Sequence, residues 1–244
     1  YIHSQVAVAS MRNSLLAALL GATSEIVNTV GKQFAQPLQV FDKDGKPKRK
    51  LLKKILDDRA ISFWKPFEEW INAYSTLEPT PFDSHEVLRL DFHDALKQLQ
   101  QSDVAVVYAD PPYTRYHYSR YYHVLETICL RDLPEISPTF VGSTQLSRGI
   151  YREGRHQSPF CIRSKAGKAF DHLFAGVAEL KVPFVLSYSP FSESSLSTPR
   201  LQTIEQLLSK AQYYYEDVAL VSPGRFMHSK LNAAEKNYEA EHEA

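Results

Sequence analysis

The stretch that most constrains the fold is VAVVYADPPY, residues 104–113, an apolar run that stops on one acid and two prolines. Val104, Ala105, Val106, Val107, Tyr108 and Ala109 have the pattern of a short strand buried on both faces of a parallel sheet. Pro111 and Pro112 have no N–H to give a ladder, so the chain must leave the sheet there in a stiff conformation. Asp110 is thereby expected at the carboxyl end of a central strand, where open α/β sheets hold their ligands. A carboxylate, a fixed Pro111 carbonyl and the ring of Tyr113 then stand together. The first two are pure acceptors and suit an amino group with two hydrogens, such as the exocyclic amine of adenine. Accepting both hydrogens concentrates the nitrogen lone pair, and Tyr113 offers a face for stacking. A base inside a duplex reaches such a pocket only by flipping out.

The 244 residues suffice for one α/β domain with an inserted lobe and a full core. Net charge is zero, so any basic surface has to be local. Two cysteines, Cys129 and Cys161, are too few for a disulfide framework or a zinc site. They read as reduced residues of a cytoplasmic protein, with a pairing between the two left open. No stretch approaches membrane-spanning length and no signal peptide is present, so no membrane partner is expected. His117, His123, Asp91 and Asp110 show no metal-ligand spacing, so no metal is expected either.

Along the chain, QVAVASMRNSLLAALL (5–20) predicts a helix stopped at Gly21, with a loop over 22–42. Lys46, Lys48, Arg49, Lys50, Lys53 and Lys54 follow the Asp44-Gly45 turn signal and suit phosphates or a solvated helix face equally. Phe63, Phe67, Trp70, Ile71 and Tyr74 fall at helical spacing and predict an amphipathic helix over 62–76. EVLRLDF (86–92) predicts a strand ending in Asp91, followed by a helix. From about Ser119 a further helix is expected to turn Leu125, Ile128 and Cys129 inward. Residues 132–168 are long, polar and irregular, and mix Arg148, Arg152, Arg155, His156, Arg163, Lys165 and Lys168 with Tyr151 and Phe160. Basic groups interleaved with aromatics are what nucleic-acid contacts need. A helix over 166–181, a buried strand VPFVLSYSP (182–190), a helix near 199–211, the strand-like YYYEDVALV and a hairpin around Ser222-Pro223-Gly224 complete the pass. The alternation gives an α/β class with a mainly parallel sheet.

Asp-Pro-Pro-Tyr behind an apolar strand resembles the catalytic motif of the amino-methylating DNA methyltransferases. From about 86 to 231 the chain is similar to the Dam-like adenine-specific DNA methyltransferase family. The resemblance implies a Rossmann-like class I methyltransferase sheet with an inserted DNA-recognition region. It also implies S-adenosylmethionine as cofactor and methyl transfer to the 6-amino group of a flipped adenine in double-stranded DNA, with a restriction endonuclease as a possible partner. By the same resemblance Asp110, Pro111, Pro112 and Tyr113 are catalytic, and Asp91 and Phe92 join Asp110 in the cofactor pocket. A strand-end Asp91 equally suits capping of the following helix. Arg115, His117 and Arg120 flank the motif and, with Arg148, Arg152 and Arg155, are candidate nucleic-acid contacts or surface polar residues.

The expected organisation is a helical, basic segment over 1–85 contributing to target recognition, a catalytic core over 86–131 and 169–235, an inserted basic loop over 132–168 and a frayed tail over 236–244. The family's Phe-x-Gly-x-Gly cofactor loop is not in this chain: of nine glycines no two are spaced as G-x-G. The simplest expectation is that this loop lies upstream and that the chain is N-terminally truncated. Two alternatives stand beside the DNA reading: an RNA base amino-methyltransferase, and an inactive nucleic-acid-binding fragment. Ring-carbon methylation of cytosine is disfavoured, because its Cys nucleophile typically follows Pro whereas Cys129 follows Ile128 and Cys161 follows Phe160.

Overall fold

The computed structural model describes residues 1–29, 33–35, 38–77, 85–99, 104–137, 140–141, 143–145, 151–188, 201–221, 225–226 and 241–242. In chain order the helices are α1 (Ile2–Gln5), α2 (Ala9–Ile26), α3 (Arg49–Arg59), α4 (Trp64–Ser75), α5 (Phe92–Leu99), α6 (Tyr118–Tyr121), α7 (His123–Leu130), α8 (Arg163–Leu180) and α9 (Ile204–Tyr214). The strands are β1 (Val107–Ala109), β2 (Phe140–Val141), β3 (Thr144–Gln145), β4 (Phe184–Leu186), β5 (Arg225–Phe226) and β6 (Glu241–His242). The described residues of 1–82 and 118–155 form one compact unit, and those of 83–117, 156–229 and 241–242 form another. The unit boundaries fall at 117 and 156, beside the 131 and 169 expected for a catalytic core.

In the first unit the aromatic stripe of 62–76 folds as α4, which packs along α2. Phe63 stacks on Phe67 with ring centroids 5.6 Å apart. Trp70 lies against α2 at Gly21 and donates its indole N–H to Glu25 at 2.6 Å. Gly21 is therefore no helix stop. The helix runs on to Ile26, and the glycine is where the ring comes closest: a Cβ there would lie 2.6 Å from Trp70 Cε2. Gly21→Ala is expected to lower stability by roughly 1 kcal/mol, the cost of overpacking against the ring outweighing the gain in helix propensity. A urea melt checks this, and a raised midpoint would mean that Trp70 swings aside at no cost.

The basic run before and within α3 is exposed, and among the α3 residues only Ile55 is buried. Residues 118–130, expected in the catalytic core, pack in this unit instead. The Phe34 N–H donates to the Tyr121 carbonyl at 2.9 Å and α7 contacts α2. Cys129 is exposed rather than inward, because it falls in the last turn of α7, just before Arg131 closes the helix in the left-handed region. The expected irregular loop after it is partly laddered. Ile136 bridges Arg152, Ser137 N–H donates to the Tyr151 carbonyl at 2.9 Å and Glu153 N–H to the Glu135 carbonyl at 2.7 Å. β2 and β3 pair antiparallel.

The second unit is built on α8. Ala166, Ala169, Phe170, Leu173, Phe174 and Val177 recur at three- and four-residue steps, so one face of the helix is buried along its length. Leu96 of α5, Phe160, Tyr188 and Leu207 of α9 complete the core. Gly176 lets Leu96 approach, since a Cβ there would stand 3.0 Å from its Cδ1. A capping box opens α9: Thr203 Oγ1 accepts from Gln206 N–H and the Gln206 side chain accepts from Thr203 N–H.

β1 and β4 run parallel, with Val107 opposite Phe184, Tyr108 opposite Val185 and Ala109 opposite Leu186. The expectation of burial on both faces fails. Val107, Ala109, Phe184 and Leu186 pack on the core, whereas Tyr108 is 65% exposed and Val185 is exposed as well. Tyr108 and Val185 line an apolar groove of about 630 Å3 together with Val218 and Leu220. The strand expected over 86–92 is not formed. Residues 85–90 find no ladder partner among the described residues, Val87 is 95% exposed, and Phe92 already opens α5. The strand-like 215–221 has no ladder either, and β5 pairs antiparallel with β6. The expected hairpin turn at 222–224 lies outside the described residues. No helix among the described residues is long and apolar enough to cross a membrane.

Candidate active site

The motif and the residues around it lie within the second unit. The β1–β4 ladder ends with Ser187 N–H donating to the Ala109 carbonyl at 2.9 Å, so the two strands finish side by side. Asp110-Pro111-Pro112-Tyr113 leaves one strand end and Ser187-Tyr188 leaves the other. Asp110 is exposed, Pro111 is buried, and Pro112 and Tyr113 are half-buried. Burying the first proline fixes the exit direction of the chain while the acid stays accessible.

Tyr113 meets Tyr188 edge to face, with centroids 5.7 Å apart and planes at 70°. Tyr188 is only 2% exposed, donates its hydroxyl to the Gln202 carbonyl at 2.7 Å and packs edge-on against Phe170 at 5.8 Å. A core tyrosine thus sets the plane of the motif tyrosine. Tyr188 was inside the stretch read as a buried strand, yet nothing in its spacing marked it as the brace of Tyr113.

Past the motif, Tyr116 N–H donates to Thr114 Oγ1 at 3.3 Å, and the Tyr116 carbonyl accepts the Cys161 thiol at 3.3 Å. Burial pushes the Cys161 thiol up to about 11, so it stays protonated at neutral pH and is no nucleophile. Arg115 is exposed, with its guanidinium 5.7 Å from the ring of its neighbour Tyr116, and His117 is half-buried.

Asp91 caps α5: its Oδ1 accepts from His93 N–H at 3.0 Å and its carbonyl from Ala95 N–H at 2.9 Å. It is exposed, so the second carboxylate oxygen is available as an acceptor. Phe92 is half-buried, its ring 5.1 Å from that of Phe160. Phe160, expected among the interleaved aromatics of a nucleic-acid-contacting loop, is a core residue.

The remaining candidate contacts belong to the first unit. Arg152 does not present its charge to a partner molecule. It makes a two-pronged pair with Asp132, Nη1 to Oδ1 at 3.1 Å and Nη2 to Oδ2 at 2.5 Å, and Nη1 also donates to Thr127 Oγ1 at 3.2 Å. Its guanidinium is structural because an acid twenty residues earlier already satisfies it. Arg120 and Arg155 are half-buried beside Tyr151, and Arg148 lies outside the described residues.

The Arg152 hydrogen bonds hold the Asp132 carboxyl below its ordinary value of 3.8. A lowered acid contributes stability fully above the unfolded value and loses it as pH falls through the folded one. Asp132→Asn is therefore expected to melt below the parent at pH 7, with the gap closing below pH 3.8. Parallel melts of the two proteins between pH 7 and 3 check this; a gap that does not narrow at all over that range would refute it.

Among the described residues, no three His, Cys, Asp or Glu side chains gather as a metal site. A 68-residue stretch of the chain is 43% identical to the type II methyltransferase M.FokI of Planomicrobium okeanokoites. The match covers 28% of this chain and 9% of that protein, so the chain corresponds to a small part of the relative's length. It relates the chain to a type II methyltransferase over that stretch. No family model and no solved structure matches the chain.

Proposed function

We propose that the chain contributes the catalytic acceptor site of an adenine-specific DNA methyltransferase that uses S-adenosylmethionine. The β1–β4 pair would then belong to the sheet of a Rossmann-like methyltransferase fold. The observation that carries the reading is the exposed Asp110 at the end of β1, followed by a buried Pro111 and by a Tyr113 ring braced by Tyr188. The 68-residue likeness to a type II methyltransferase supports it as well.

In this reading Asp110 accepts one hydrogen of the adenine amino group and the Pro111 carbonyl accepts the other. The nitrogen lone pair is drawn out of ring conjugation and made nucleophilic. Tyr113 stacks on the flipped base, and its edge contact with Tyr188 keeps the ring from turning. Rate then comes from positioning and fixed dipoles rather than from a covalent intermediate. Cys161, buried and protonated, takes no part. Asp91 and Phe92 fit the cofactor in part: an exposed carboxylate oxygen suits a hydroxyl pair and the neighbouring ring suits a flat base. No G-x-G pair is present in the chain to pass the backbone close to the cofactor's amino-acid end. S-adenosylmethionine, when bound, supplies the methyl group as an activated sulfonium.

The test is nucleoside mass spectrometry of unmethylated duplex DNA incubated with the protein and S-adenosylmethionine. New 6-methyladenine is the expected product. A methylated base in RNA with DNA left untouched would transfer the reading to RNA, and no product in either would reduce the chain to a binding module.

A further inference from the structure

We propose that Arg120 and Arg155, held on the ring of Tyr151, form a clamp for one backbone phosphodiester of duplex DNA. The inference rests on the reading of DNA as substrate, and the clamp lies wholly within the first unit. The guanidinium carbon of Arg120 stands 5.3 Å from the Tyr151 centroid and that of Arg155 stands 4.6 Å from it. Two cations thus share one aromatic ring, which steadies each of them.

Among the described residues no carboxylate oxygen lies within 4 Å of either guanidinium, in contrast to Arg152 between them in sequence. Nε of Arg120, and Nε and Nη1 of Arg155, are shut off from solvent and meet no acceptor among the described residues. Two cations on one ring with no carboxylate beside them leave a local excess of positive charge. A tetrahedral anion carrying several acceptor oxygens offsets that charge through the guanidinium nitrogens other than these, and planar guanidiniums match it with paired hydrogen bonds.

The backbone beneath is pinned as well. Tyr151 and Glu153 are laddered to Ser137 and Glu135, and Arg152 is locked to Asp132. Gly154 then turns at φ +65°, a left-handed conformation that suits glycine and delivers Arg155. A phosphodiester of DNA and free inorganic phosphate share this chemistry, and the experiment separates them.

Duplex binding is followed by fluorescence anisotropy over a series of salt concentrations for the parent, Arg120→Gln, Arg155→Gln and the double variant. The slope of log Kd against log salt is expected to fall by about 0.9 in the double variant, the change for one lost phosphate contact, with each single variant in between. Arg→Lys versions, which keep the charge and lose the fork, recover the slope but not the full affinity. A merely structural pair would shift the melting temperature and leave the slope alone. In case the variants misfold, the parent itself is treated with phenylglyoxal and digested for peptide mass spectrometry. Duplex is expected to protect Arg120 and Arg155, and the same concentration of inorganic phosphate is not. An unchanged slope in a folded double variant, or modification unaffected by duplex, overturns the clamp. Methyl transfer retained beside either result sinks the clamp alone, whereas a parent protein that neither binds nor methylates duplex sinks the DNA reading beneath it.

Discussion

Asp110→Ala is expected to cut methyl transfer to DNA by about 10²–10³-fold, the usual cost of removing one preorganised polar group from a reacting centre. The side chain is exposed, so its loss opens no cavity. Asp110→Asn separates acceptor chemistry from shape. The amide keeps the volume but has one acceptor oxygen and points an N–H donor at an amine that itself donates. It should therefore be nearly as damaging as alanine, with duplex binding retained. Initial rates of methyl incorporation from labelled S-adenosylmethionine read the effect. An asparagine variant at parental rate would mean that Asp110 merely fills space, and the acceptor mechanism would fall.

Phe170→Ala carries the largest expected loss of stability, about 3–5 kcal/mol. Phe170 is 1% exposed and stands at the centre of the aromatic cluster, 4.9 Å from Phe160, 5.8 Å from Tyr188 and 6.3 Å from Phe174. Its removal leaves a void against the ring that braces Tyr113, so stability and the candidate site share one residue. A loss of this size is a large fraction of what a domain has in total. Denaturant unfolding followed by near-ultraviolet circular dichroism checks it. A change below 1 kcal/mol would show that the cluster closes over the gap, as less rigid cores do.

Elements whose information is local were legible in the sequence. The helix stripe of 62–76, the helical stretch that became most of α8, and the short apolar runs that hold β1 and β4 were legible from local pattern, with a pair of prolines ending the first run. Residues whose environment is set by distant partners were not. Gly21 looks like a helix end until Trp70, forty-nine positions on, lies across it. Arg152 looks like a free cation until Asp132 is seen to hold it. Phe160 sits among basic residues in the sequence yet belongs to the core in space. The segment 86–92 has strand composition, but a strand exists only where a neighbouring edge takes up its hydrogen bonds. The Thr203–Gln206 capping box was visible as a T-x-x-Q spacing and could have set the start of α9 directly. The acidic and aromatic parts of the candidate site were read from the motif, whereas its brace, Tyr188, depends on a ring contact made seventy-five residues away.

The placement of the two thiols gives the protein a built-in reporter. Cys129 is exposed in the first unit, whereas Cys161 is buried in the second and bonded to the Tyr116 carbonyl. Thiol reagents act on the thiolate, so burial and a thiol pushed up to about 11 protect Cys161 twice over. A chromogenic disulfide reagent is expected to consume one equivalent at once and the second only as the chain is unfolded. A fluorophore can then be attached at Cys129 without mutagenesis, on the unit that carries the arginine pair. The slow equivalent becomes a clock for the opening of the other unit, the one that holds Asp110.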